Sequence, residues 1–333
     1  MINIYKDKEK KKSIAVVILN YNGEDWIKPC LQALVDQTDQ SFDTFFIDQG
    51  STDNSVKMVR QSIKNSHIIQ TGKNLGYTAG SNFGYRTMDR LSKKYDYYLL
   101  LGNDAICDKD LIKEIRFLLV KYRHQKIGVI EPTILSKEMV IDMCGGKLSL
   151  ITGRCNGFLH GQKYSKKNLV YKTFWGCTAC ALVNTKLLKK VGYNDDYYGY
   201  FDDISMCWKF NNLGYKNIAT LNTYAIHLGS MTFKSISEFK MFLLSRNRIF
   251  TFWQNLSIPM FILLIPIIII FRIIAILLLT VLGKINIKLL YSGFKGIFEG
   301  LSKLKQYKKY NYSIMKDLKT LFSSNHVNLE QSL

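Results

Sequence analysis

Four polar clusters carry the side-chain types that bind ligands or move protons: Asn20-Tyr21-Asn22-Gly23, Asp48-Gln49-Gly50-Ser51-Thr52-Asp53, Gly102-Asn103-Asp104 and Asp202-Asp203. Asn, Asp and Gly are ordinary turn and cap residues, so any one cluster alone says little. Four in succession, three of them directly after apolar strand-like runs, need more than turns to explain them. Open α/β folds bind ligands at the carboxyl ends of their strands, where these three fall. Cys177-Thr178-Ala179-Cys180 is the one CxxC among seven cysteines. Zinc would need a second ligand pair, and Cys144 and Cys155 are wrongly spaced to supply it, so the thiols read as structural. An odd, scattered set also argues against a disulfide framework and for a reducing, cytosolic setting.

Such clusters need a scaffold, and the chain supplies a regular one. Residues 14–19 form a β-branched run suited to a strand buried on both faces, followed by a helix over 26–37 in which Pro29 must lie in the first turn. Strands are expected at 44–48, 67–70, 97–101 and 127–130, with helices from the Ser51–Asn54 turn to Lys64, over 76–90 and over 108–123. This βαβα order predicts a mostly parallel sheet with helices on both faces. From 131 to 171 the pattern loosens into short strands and Gly-rich turns. A strand at 180–184, a helix to Val191 and a helix over 204–212 restore it.

The 333 residues are 47% hydrophobic and 22% charged, which excludes disordered and collagen-like chains. A net charge of +20 points to an anionic partner. The lysines cluster at the two ends, with no RNP-like or helix-turn-helix pattern, so nucleic acid is not expected. The first βα turn lacks G-x-G-x-x-G, which sets aside a dinucleotide-dependent oxidoreductase. Residues 1–12 hold five lysines, and the apolar run after them is too short for a secretory signal. Residues 256–282 contain a single charge, Arg272. As a helix they would be about 40 Å long against a hydrocarbon core of about 30 Å. Basic flanks on both sides place the catalytic part on the cytoplasmic face of the cell membrane and suit anionic lipid headgroups. Pro259, Pro266 and Arg272 leave open a span, a re-entrant hairpin or an interfacial segment.

The chain resembles the family 2 glycosyltransferases, in particular a rhamnosyltransferase-like bacterial branch. The resemblance rests on Ala15-Val-Val-Ile-Leu-Asn-Tyr-Asn-Gly23, Phe46-Ile-Asp-Gln-Gly-Ser-Thr-Asp-Asn-Ser55 and Asn74-Leu-Gly-Tyr-Thr-Ala-Gly-Ser-Asn82. Leu99-Leu-Leu-Gly-Asn-Asp104, Gly192-Tyr-Asn-Asp-Asp-Tyr-Tyr-Gly-Tyr-Phe-Asp-Asp203, Ala225-Ile-His227 and a basic Arg246-Asn247-Arg248 ahead of the hydrophobic segment extend it. It implies a nucleotide-diphospho-sugar transferase fold of the GT-A type over 13–248. Donor would bind over 13–130 and acceptor over 131–248, after a basic extension (1–12) and before a membrane segment and basic tail (249–333).

The resemblance further implies an inverting transfer from a nucleotide-diphospho-sugar to a hydroxyl of a lipid-linked or cell-surface glycan. Asn20, Tyr21, Asp48, Asp53, Asn74, Gly80, Asn103 and Arg246 would contact the nucleotide sugar. Asp104 and His227 would hold Mg²⁺ or Mn²⁺ against the departing diphosphate. Asp203 would be the general base, with Asp202 beside it in the place usually held by Glu. Each has a plainer reading: helix caps for Asp53 and the acidic pair, a turn for Asp104, a structural histidine, lipid-facing cations for Arg246 and Arg248. Trp175 could stack on a sugar or fill the core. The usual DxD-type site is reduced to Gly102-Asn103-Asp104, leaving one carboxylate. Transfer directly to polyprenyl phosphate, and a non-catalytic scaffold on the same fold, are the alternatives.

Overall fold

The computed structural model describes residues 11–192, 195–228, 237–307, 309, 312–322 and 327–328. Most of the basic extension, Tyr193-Asn194 of the acidic motif and parts of the tail lie outside the described residues.

The chain begins β1 (Ile14–Asn20), α1 (Glu24–Val35), β2 (Asp43–Asp48), α2 (Ser55–Ser62), β3 (His67–Gln70), α3 (Gly76–Met88), β4 (Tyr97–Gly102), β5 (Ala105–Cys107) and α4 (Leu111–Lys121). It continues through β6 (Ile127–Leu135), β7 (Ile141–Met143), β8 (Gly146–Leu148), β9 (Cys155–Gly157), β10 (Val170–Thr173), β11 (Cys180–Asn184), α5 (Thr185–Val191), α6 (Asp202–Asn212) and β12 (Lys216–His227). The last elements are α7 (Glu238–Asn255), α8 (Ile258–Val281), α9 (Ile287–Ser302), α10 (Ile314–Phe322) and β13 (Val327–Asn328).

The main sheet runs β13-β10-β12-β6-β11-β4-β1-β2-β3. Strands β3, β2, β1 and β4 are mutually parallel, as the βαβα order requires. The second half is mixed, because β11 runs antiparallel between β4 and β6, while β6 and β12 are parallel. Alternate residues of β1 feed two separate cores. Val16 and Ile18 join Phe46, Leu99 and Leu101 against α1 and α4, whereas Ala15 and Val17 join Phe45, Ile47 and Leu100 against α3, α6 and α7. This two-sided burial explains the unbroken β-branched run.

Two helix starts differ from expectation in ways that matter. Helix α1 begins at Glu24, which puts Pro29 at its sixth position instead of the first turn. Pro29 is exposed, so the Asp25 carbonyl that loses its partner faces water. Helix α6 begins at Asp202 instead of residue 204, so both acids occupy its first turn, where the helix dipole favours negative charge.

Residue 248, where the sequence suggested a division, lies inside α7, whose Phe250 and Phe252 are fully buried. Helix α8 is long and apolar enough to cross a membrane by length and composition. One face of it nevertheless packs into the core beside the sheet: Met260, Phe261, Leu264, Ile265 and Ile268 share a cluster with α6 and α7. Ile262, Leu263 and Leu278 on its other side are exposed. Helix α9 approaches α7 through Gly293, Gly296 and Gly300. A Cβ on Gly296 would lie 2.3 Å from the Phe242 carbonyl oxygen, so only glycine permits this spacing.

Candidate active site

At the carboxyl end of β1, Asn20 is buried and links three clusters. Its Nδ2 donates to Ser55 Oγ at 2.9 Å and Ser51 Oγ at 3.1 Å, with Asp48 Oδ1 at 3.5 Å; its Oδ1 accepts from Asn103 Nδ2 at 2.7 Å. Asp48 is also buried and accepts the Ser51 N–H at 3.2 Å. Tyr21 stands 46% exposed at the rim. The structure therefore gathers Asn20, Asp48 and Asn103 into one network with Tyr21 beside it.

Asp53, Asn74 and Gly80 are engaged otherwise. Asp53 Oδ2 accepts the Glu24 N–H at 2.8 Å and Oδ1 accepts the Ser55 N–H at 3.1 Å, joining the starts of α1 and α2 as the cap reading expected. Burial raises its pKa, but the Ser55 and Glu24 donors outweigh that and hold it below the ordinary value. Asn74 Oδ1 accepts the Gly76 N–H at 2.9 Å. Gly80 is buried, and a Cβ there would meet Gln49 Oε1 at 2.3 Å, so its missing side chain lets α3 pack on Gln49.

Asp104 sits in the two-residue turn between β4 and β5, and β5 pairs with the end of β12 so that Ala105 faces His227. This register brings His227 Nε2 within 3.3 Å of Asp104 Oδ1. Desolvation lowers the His227 pKa, but the hydrogen bond and charge of Asp104 prevail and raise it. Among the described residues no group of three His, Cys, Asp or Glu side chains could hold a metal. The pair nonetheless fits a divalent cation completed by diphosphate oxygens and water: an oxygen and a nitrogen donor, both partly exposed, on adjacent strand ends.

The acidic pair follows a strained turn. Tyr198, Tyr200 and Phe201 have φ of 65°, 64° and 65°, the left-handed region in which non-glycine residues are rare. The turn is held from α7. Asn247 is fully buried, and its Nδ2 lies 2.9, 2.7 and 3.0 Å from the carbonyls of Tyr197, Gly199 and Tyr200. Arg246 Nη2 donates to the Asp196 carbonyl at 2.6 Å, and its Nη1 pairs with Glu299 of α9 at 3.2 Å. Arg246, expected at a phosphate, thus has its guanidinium committed to protein partners. From the other side, the Tyr77 N–H at the start of α3 donates to the Tyr198 carbonyl at 2.7 Å.

Asp202 is 5% exposed and Asp203 somewhat more. Burial pushes Asp203 up to about 7, against a 2.8 Å hydrogen bond from the Ile204 N–H. Burial, then the Asp203 charge, raises Asp202 well above the carboxylate range. The two therefore titrate together. Cys177 lies within electrostatic reach of Asp203, and two residues on the Ala179 carbonyl accepts the Gly102 N–H at 2.8 Å. One short segment thus links the acidic pair to the Asp104 turn.

Two residues here escaped sequence reasoning. Glu131, fully buried in β6, is pushed by burial up to about 8 although the Cys177 N–H donates to it at 2.8 Å and the Gly145 N–H also donates. A lone acid in the apolar run Ile127-Gly-Val-Ile-Glu-Pro-Thr-Ile-Leu135 was its signal. Asn247 was visible only as the middle of a basic triplet, although asparagine is a poor residue for a helix interior. Trp175 resolves to core: it is 6% exposed and packs on Gly146.

Residues 15–192 match the family described as Glycosyl transferase family 2. The chain belongs to that family. Among family 2 relatives, it is 24% identical over 202 residues to the low-salt glycan biosynthesis hexosyltransferase Agl10 of Haloferax volcanii, covering 59% of this chain and 61% of that one. It is 34% identical over 99 residues to the dTDP-rhamnosyl transferase RfbG of Shigella flexneri, covering 28% and 33%. It is 24% identical over 169 residues to the teichoic acid poly(glycerol phosphate) polymerase of Staphylococcus epidermidis, covering 48% and 22%. The chain therefore spans less than two thirds of each. In structure it is similar to GalNAc-T7, solved with UDP, GalNAc and Mn²⁺, at a TM-score of 0.52 and 9% identity over 74% of this chain and 51% of that one, a likeness of fold. The GT-A arrangement of the family, with helices on both faces of a mixed, largely parallel sheet, is thus the fold here.

Proposed function

We propose that the chain is a membrane-associated, inverting glycosyltransferase that moves a sugar from a nucleotide-diphospho-sugar to a hydroxyl of a lipid-linked or cell-surface glycan. One observation carries it: a largely buried carboxylate pair with raised proton affinity and the turn that holds Asp104 beside His227 both adjoin the short segment 177–179. Asn20, Tyr21, Asp48 and Asn103 line the donor end, where nucleotide base and ribose would sit. Asp203 accepts the acceptor hydroxyl proton as that oxygen attacks the anomeric carbon. The bond from that carbon to the diphosphate breaks, and a nucleoside diphosphate leaves. A proton affinity near 7 suits this task, because a base works best with its pKa near the working pH. Glu131, held protonated at neutral pH, adds no charge beside the base. Asp104 and His227 would hold Mg²⁺ or Mn²⁺, which when bound supplies positive charge to the departing diphosphate.

Helix α8 fits an interfacial placement better than a lone span, since one face is built into the catalytic core while Ile262, Leu263, Ile270, Leu277 and Leu278 face outward. Ile287, Tyr291, Phe294, Phe298 and Leu301 give α9 an exposed apolar stripe alongside it. The tail lysines suit the anionic headgroups of a cytoplasmic leaflet.

The test is donor hydrolysis and transfer by detergent-purified protein, over a panel of nucleotide sugars with and without Mn²⁺, beside Asp203→Asn. Metal-dependent turnover of one donor, lost in the variant while nucleotide binding persists, is the expected result. Failure to bind any nucleotide sugar would overturn the reading.

A further inference from the structure

Two guanidiniums on the acceptor side lack a counter-ion. Arg248 of α7 donates from Nε to the Gly153 carbonyl at 3.0 Å and lies with Cζ 4.9 Å from the centre of the Phe201 ring. Its Nη1 is buried with no hydrogen-bond partner. Arg272 of α8 reaches Ser245 Oγ at 3.3 Å and Met241 Sδ at 2.9 Å, both neutral. Among the described residues neither makes a salt bridge, and Arg272 lies within electrostatic reach of the Arg248 charge. They share one corner: a Cβ on Gly153 would come 2.8 Å from Arg248 Cδ and 3.0 Å from Ile268 Cγ2, and Ile268 lies one turn before Arg272 on α8.

Partly buried cations without a counter-ion are costly, and like charges side by side more so. An anion between them would offset that cost, and a guanidinium fork matches phosphate oxygens. The corner adjoins the proposed base: Phe201 immediately precedes Asp202-Asp203, and the Cys155 thiol lies within electrostatic reach of both Arg248 and Asp203. Arg272 is partly exposed between Phe271 and Ile274 on the apolar side of α8, so the corner also meets the surface that would face lipid.

We propose that Arg248 and Arg272 form a subsite for a phosphate ester, taken from an acceptor that carries a phosphate or diphosphate next to its attacking sugar. This rests on the transferase reading above. A bilayer phospholipid headgroup offers the same chemistry, and the test separates the two sources.

Full-length protein in detergent, with chelator present to silence the metal pair, is titrated with a short-chain polyprenyl diphosphate and with inorganic pyrophosphate. Thermal melting and calorimetry provide the readouts for wild type, Arg248→Met, Arg272→Met and Arg248→Lys. The expected result is saturable stabilisation of wild type, at least about tenfold weaker binding by each Met variant, and an intermediate effect for Arg248→Lys. Without ligand, the Met variants should melt no lower than wild type, because a charge lacking a partner has gone. Equal binding by wild type and both Met variants would overturn the subsite. A separate arm compares flotation with phosphatidylglycerol and phosphatidylcholine vesicles. Variants that lose only the preference for phosphatidylglycerol, in a protein that ignores the prenyl diphosphate, would overturn the acceptor assignment in favour of a headgroup. Nucleotide-sugar binding is measured in parallel with metal present. If wild type holds the phosphate but no nucleotide sugar, the transferase reading fails while the subsite stands.

Discussion

Replacing Asn247 with alanine tests whether the strained turn is held in place for the chemistry. Tyr198, Tyr200 and Phe201 all sit at left-handed φ. Each costs about 1–2 kcal/mol relative to ordinary backbone, so the turn stores about 3–6 kcal/mol. Asn247 Nδ2 opposes that strain, with three carbonyls at 2.7–3.0 Å. One amide has two hydrogens, so it satisfies two of these well at any moment. A net worth of about 1 kcal/mol for each of two bonds, plus about 1–3 kcal/mol for a carbonyl left buried and unpaired, puts the cost of Asn247→Ala at about 3–5 kcal/mol. That is comparable to the stored strain, so the turn should relax locally and shift the start of α6. A displacement near 1 Å at the base lowers turnover by about a hundredfold, with the donor KM little changed because the donor end is built elsewhere. The assay is steady-state kinetics with a melting curve. A second substitution, Tyr200→Gly in the same background, should recover part of the loss because glycine accepts the left-handed φ without cost. Wild-type kcat in Asn247→Ala would refute the reasoning. So would a lowered melting temperature with kcat intact, since the residue would then be structural only.

Activity and stability should move in opposite directions with pH. The rate rises as pH passes about 7 and Asp203 gives up its proton; stability falls from about pH 4 to about 8, because folded Asp203 and Glu131 bind protons that the unfolded chain has released. Asp203→Asn should remove the rate and flatten the stability slope, and a slope unchanged in the variant would contradict the assignment. Asp104→Asn and His227→Ala should each raise the Mn²⁺ concentration needed for half-maximal turnover by at least about tenfold, read from metal titrations at saturating donor. Gly296→Val places a side chain against the Phe242 carbonyl and should cost about 1–3 kcal/mol or more, seen as a lower melting temperature and earlier proteolysis within α9.

Much of the scaffold was readable because its signals are local. The β-branched run of β1 and the Ser51–Asn54 turn each name an element without help from distant residues. The network around Asn20 was readable for the same reason, since Asn20 and Asp48 end β1 and β2 and Asn103 directly follows β4. What was not readable depends on contacts between distant segments. Gly80 follows a ligand-like motif, but its missing Cβ serves the Gln49 side chain. Arg246 looks like a phosphate donor until the fold brings the Asp196 carbonyl and Glu299 to it. No residue type announces the turn at 198–201, because tyrosine and phenylalanine are the wrong residues for positive φ. The partners on α7, with the Tyr77 N–H of α3, hold that conformation.

One turn of α7 shows how the C-terminal helices and the site are joined. Ser245 Oγ accepts from Arg272 of α8, Arg246 pairs with Glu299 of α9, Asn247 holds the strained turn, and Arg248 lies on Phe201 and Gly153. Successive helical residues point about 100° apart, so four neighbours in sequence can grip four different structures at once. The turn that sets Asp202 and Asp203 is therefore fastened to the same helix that α8 and α9 pack against. Truncation after Asn255 would expose the core face that Met260, Phe261, Leu264 and Ile268 cover, and would leave Arg246 without Glu299. Such a fragment should lose turnover even on a water-soluble acceptor, where membrane capture plays no part. If it instead turned over such an acceptor as fast as the full chain, α8 and α9 would be anchors alone, and the coupling through α7 would be wrong.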